Sequence, residues 1–162
     1  MPFRDTAREY KRAADRRFDD AHELMQAPTW EGQRSDAGQR HLRGAMYLAG
    51  YTVECLLKAY IIGQMNAQTL GEATEILDVR RTSKGLEPVK NILRTAAGHR
   101  IAYLVQLTNL PTDFPNFDLK LWGRLGGWQS SWRYEGDMVG QTEAEAFMAD
   151  VQAAVDWLSS KM

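Results

Sequence analysis

The chain has 162 residues, 44% of them hydrophobic and 25% charged, and its 20 lysines and arginines against 21 aspartates and glutamates leave a formal charge of -1. Such numbers describe one domain of ordinary size, spanning residues 1–162, with enough apolar material for a real core. They exclude a protein that coats nucleic acid by bulk charge, though not a small local basic site.

A lone cysteine, Cys55, cannot form an internal disulfide, and Met1 to Asp5 lacks the apolar run of a leader, so a cytoplasmic setting is predicted. No run approaches ~18 uninterrupted apolar residues, so no membrane-spanning helix is predicted either.

The apolar spacing predicts a first helix from Arg4 to Met25, with Phe3, Ala7, Tyr10, Ala14, Phe18, Ala21 and Met25 along its buried seam. Charges of both signs alternate on its outer face. Pro28 stops the ladder, and Trp30 to Arg34 forms a loop.

A second helix, Asp36 to Met65, is the element around which the rest is arranged. Leu42, Ala45, Met46, Ala49, Val53, Leu56, Leu57 and Tyr60 recur at three- and four-residue steps. Beside them runs a row of mostly small residues, Leu48, Thr52, Cys55 and Ala59, which predicts close packing on a second side. The remaining stripe carries Arg43, Tyr47, Tyr51, Glu54 and Lys58. Glu54 and Lys58 stand four apart, in the favourable order for an ion pair on a helix.

Met65 to Arg81 reads as short helical or irregular structure, and Thr82-Ser83-Lys84-Gly85 as a loop. Pro88 opens a segment over Val89 to Ala97, and a third core helix is predicted from His99 to Leu107. A short helix over Phe117 to Leu125 ends at Gly126-Gly127. Thr142-Glu143-Ala144-Glu145 has the form of a capping box and predicts a last helix from Glu143 to Ser160, burying Phe147, Val151, Ala154, Val155 and Leu158. Nothing reads as a strand. The predicted fold is all-α, an up-and-down bundle of four main helices with short additional ones.

Tyr47-Leu48-Ala49-Gly50-Tyr51-Thr52-Val53-Glu54-Cys55-Leu56-Leu57-Lys58 resembles the second-helix signature of the HEPN domains, the higher eukaryote and prokaryote nucleotide-binding family. Trp132-Arg133-Tyr134-Glu135 is similar to that family's Arg-Tyr landmark before the last helix, and His99 sits where many members have a histidine opening the third helix. The resemblance implies a homodimer working beside a small nucleotidyltransferase-type antitoxin in a toxin–antitoxin or phage-defence setting, with RNA or a nucleotide as target.

It also implies a chemistry. Arg94-Thr95-Ala96-Ala97-Gly98-His99 matches the Arg-x4-6-His of HEPN ribonucleases, which cut RNA without metal at a composite site across a dimer. Histidine shuttles protons near neutral pH. Arginine holds the phosphate and the charge that develops on it. Thr95 departs from the usual polar residue after the arginine, and Gly98 interrupts the helix between the pair. In this reading Arg94 and His99 are catalytic.

The other reading is a catalytically silent module. Tyr47, Tyr51, Glu54, Lys58, Arg133 and Tyr134 would then bind a nucleotide or partner, or form a polar network that fixes how the helices meet. His22, His41 and His99 are scattered, so neither a metal site nor a cofactor is predicted.

Overall fold

The structure is a computed structural model that describes residues 5–26, 35–90, 96–108, 110–113, 117–134 and 139–162, with side chains at all of these but 35–40, 96, 97, 112, 113, 133 and 134. Its helices are α1 (Ala7–Gln26), α2 (Ser35–Gln64), α3 (Leu70–Thr82), α4 (Ile101–Leu107), the single turn α5 (Leu110–Asp113), α6 (Leu119–Leu125) and α7 (Gln141–Ser159). Tighter 3₁₀ turns lie at Ala96–His99 and Ser130–Tyr134. Among the described residues, extended pairing is limited to one isolated bridge between Thr6 and Thr69. The all-helical expectation therefore stands.

α2 lies at the centre and packs against α1, α7, α4 and α3. Its apolar rows explain why: Ala45, Met46, Ala49, Val53, Leu56 and Leu57 are buried on one side, and Thr52, Cys55 and Ala59 on the other. The row of small residues lets α1 come close enough for the Thr52 hydroxyl to lie 3.4 Å from the Ala14 carbonyl, while also donating to Leu48 within α2. From His41 to Gln64 this helix is long and apolar enough, by length and composition, to cross a membrane. Yet 78% of its most apolar window is buried inside the bundle, as befits a core helix.

Three boundaries correct the sequence reading. Residues 70–82 form a full helix rather than irregular structure, because Thr69 caps it: its hydroxyl accepts from the Glu72 amide at 3.2 Å, and the Glu72 carboxylate accepts from the Gln68 amide at 2.7 Å. Thr142 is not a cap. α7 starts two residues earlier, at Gln141, with Gly140 at the N-cap and no side-chain bond, and Glu145 accepts from the Gln141 side chain instead. Finally, His99 does not open a helix. It closes the 3₁₀ turn, and α4 begins at Ile101 after Arg100.

Two aromatic clusters finish the core. Phe117 stacks on Trp122, and Trp157 meets both edge-on. Trp128 is fully buried and lies against the backbone of α2 at Gly50.

Cys55 is fully buried, and burial, with the nearby Glu54 charge, pushes its thiol up to about 12. A raised folded-state value means stability that is fully present below the ordinary thiol value of 9.0 and is lost as pH climbs toward 12. Burial likewise raises the Tyr10 and Tyr51 phenols, which adds to the alkaline loss. Thermal melts should therefore fall steeply above pH 9 and less steeply in Cys55→Ala. In the folded protein at neutral pH the thiol should resist alkylation, and rapid labelling there would contradict its burial.

Candidate functional site

The two charges at the C-terminal end of the polar stripe of α2 do not face water. Glu54 is 1% exposed and Lys58 6%, because α1 and the chain before α4 close over them. One helical turn separates the two residues, so their side chains meet, with Lys58 Nζ 2.5 Å from Glu54 Oε1. Gly98 is buried and the 3₁₀ turn ends beside it, which carries His99 onto the same carboxylate. His99 Nδ1 lies 2.9 Å from Glu54 Oε1. The other oxygen, Oε2, is buried with no hydrogen-bond partner among the described residues.

Two donors on one oxygen of a buried carboxylate form a tightly constrained cluster. Removing charges from water is costly, and their mutual attraction offsets that cost only when the geometry is good. Here the carboxylate orients the imidazole: a ring donating its Nδ1 proton to Glu54 keeps Nε2 as an acceptor. The His99 side chain is 42% exposed, so a proton on Nε2 can pass to a ligand or to solvent. A base within hydrogen-bond reach of a third, orienting group is the geometry that general acid–base catalysis uses.

The other predicted residues are distributed differently. Tyr47 and Tyr51 stack 6.4 Å apart, and Tyr47 also stacks on Trp128 at 6.1 Å, so these rings belong to the aromatic packing. Arg43 lies over the Trp132 ring at 5.1 Å. Arg133 and Tyr134 fall in the 3₁₀ turn that packs against α2, but their side chains lie outside the described residues. Arg94 lies outside them altogether. The structure thus unites Glu54 and Lys58, predicted as a binding pair, with His99, predicted as catalytic. Among the described residues, the groups that meet Glu54 are a lysine and a histidine.

Sequence reasoning missed one contributor. Tyr10 was placed in the apolar seam of the first helix, yet its ring lies beneath Lys58 Nζ at 5.9 Å and its hydroxyl donates to the Asp5 carboxylate. The available signal was a tyrosine in a seam otherwise made of alanine, phenylalanine and methionine: a buried phenol needs a partner. Among the described residues no cluster of three or more histidine, cysteine, aspartate and glutamate side chains could hold a metal ion.

Comparison of the sequence with known families and characterised proteins, and of the fold with solved structures, finds no significant match.

Proposed function

We propose that this chain is a HEPN-like toxin or effector that cleaves RNA without a metal, working as a homodimer in the cytoplasm alongside a nucleotidyltransferase-type antitoxin. α1, α2, α4 and α7 are, in this reading, the four main helices of an up-and-down bundle. The observation that carries it is the 2.9 Å contact between His99 Nδ1 and the buried Glu54 carboxylate. It favours an oriented acid–base group over a silent binding module, because Tyr47 and Tyr51, which such a module needs free, are engaged with each other and with Trp128.

The chemistry balances with the groups proposed. His99 Nε2 accepts the proton of an RNA 2′-hydroxyl, and the 2′-oxygen attacks the adjacent phosphorus. The bond from phosphorus to the 5′-oxygen breaks, leaving a 2′,3′-cyclic phosphate. A protonated imidazole returns a proton to the departing 5′-oxygen. Glu54 stabilises the imidazolium that forms in between. Arg94 anchors the phosphate and the charge that develops on it.

The test is growth of cells after induced expression, with soluble protein levels matched. Wild type is expected to arrest growth and His99→Ala to permit it. Equal arrest by both would remove His99 from the activity.

A further inference from the structure

Beside Lys58, residues of α1, α2 and α3 line a cleft of about 320 Å³. That volume is at the small end of ligand-binding cavities. Lys58 forms part of its wall, with Tyr10, Asp5, Thr74, Glu75 and Lys90. Lys58 carries three N–H donors, is 6% exposed, and its one hydrogen bond among the described residues goes to Glu54. A buried ammonium with unused donors at the edge of a cavity is a ready seat for an anion.

The second cation is held in place by the fold. Val89 is fully buried, and the Asp78 carboxylate accepts from the amides of Val89 and Lys90, which fixes the chain where the exposed Lys90 meets the cleft. Of the two carboxylates on the walls, Asp5 is engaged by the Tyr10 hydroxyl, and Glu75 is exposed.

We propose that this cleft is a regulatory site for a small phosphorylated anion, which binds Lys58 and Lys90 and acts on His99 through Glu54. Lys58 and His99 share one oxygen, Glu54 Oε1. A phosphate that draws the ammonium toward the cleft takes a positive charge off that carboxylate. Glu54 then acts on the His99 ring with its full charge. The site binds whether or not the protein cleaves RNA; only the consequence for catalysis rests on the proposed nuclease.

Inorganic pyrophosphate is the probe, titrated into the intact protein while following melting temperature and the imidazole resonances of His99 by nuclear magnetic resonance. Wild type should bind it, melt higher and show shifted His99 resonances at saturation. Lys90→Ala, an exposed change that leaves the fold intact, should bind about tenfold more weakly, as should Glu54→Leu/Lys58→Met, which removes the ammonium without stranding its partner. Absence of binding to wild type, or wild-type affinity in either variant, overturns the site. Binding that leaves the His99 resonances in place overturns the coupling. No outcome depends on RNA cleavage, so failure here and failure of the nuclease reading are told apart.

Discussion

Gly50→Ala is expected to destabilise the fold by about 2–3 kcal/mol, although alanine ordinarily gains ~1 kcal/mol over glycine inside a helix. A Cβ built at Gly50 overlaps the Cγ, Cδ1 and Nε1 atoms of Trp128. That indole is fully buried, so it has no solvent to move into, and its displacement disturbs the stack with Tyr47. The melting temperature should fall by roughly 5–10 °C for a domain of this size. Gly63 provides the control. It lies in the same helix, is exposed, and has nothing within 4 Å of an added Cβ, so Gly63→Ala should be neutral or stabilising. Pairing Gly50→Ala with Trp128→Leu should recover part of the loss, since the two sites are in contact and their effects are not additive. Chemical denaturation of the four proteins measures all of this. Equal stability of Gly50→Ala and wild type would mean that Trp128 does not sit where the structure puts it.

Lys58→Met is expected to cost about 3–5 kcal/mol, a large part of the 5–15 kcal/mol that holds a typical domain together. The reason is the group left behind. Glu54 is 1% exposed, and among the described residues its Oε2 has no partner, so removing the ammonium leaves a buried carboxylate that, of those residues, meets His99 alone. Glu54→Leu/Lys58→Met should lie much closer to wild type, because the desolvation cost disappears with both charges. His99 tolerates the loss of Glu54 in folding terms, since its ring is 42% exposed and reaches water. Urea denaturation of the single and double variants separates these cases. A single variant as stable as wild type would show that Lys58 and Glu54 are not a buried pair.

The elements differ in how plainly the sequence displays them, and the reasons are physical. α2 is legible to within a residue at each end, because its apolar residues keep a helical spacing through about five turns. α3 is not, because its inward row is only Leu70, Ala73, Thr74 and Leu77, one of them polar. The cue lay in Thr69-Leu70-Gly71-Glu72, which has the same Thr-x-x-Glu form as Thr142-Glu143-Ala144-Glu145. Local pattern alone does not separate them. Thr69 has the extended backbone that a cap needs, whereas at α7 that conformation falls on Gly140, two residues before Thr142.

The candidate site shows the same division between local and distant information. Glu54 and Lys58 are four apart, so their pairing is visible in the sequence. The partnership of Glu54 with His99 joins residues 45 positions apart, with α3 between them. Only the tertiary fold, which brings the turn ending at His99 to Glu54, creates it. Burial of Glu54 and Lys58 was equally hidden, since a glutamate and a lysine in an amphipathic helix ordinarily mark the solvated face. Tyr47 and Tyr51 carried no label that distinguishes a binding surface from a stack beneath a tryptophan that comes 81 and 77 residues later.

The central claim is that His99, held by Glu54, is the working acid–base group of a metal-independent ribonuclease. The measurement that tests it most directly is the cleavage rate of RNA by purified protein in the presence of a chelator, comparing wild type with His99→Ala at equal folded concentration. Wild type should cut, leaving 2′,3′-cyclic phosphate ends, and His99→Ala should be slower by about 10²–10⁴-fold. Equal rates, or no cleavage by wild type at concentrations where it is dimeric, would contradict the account.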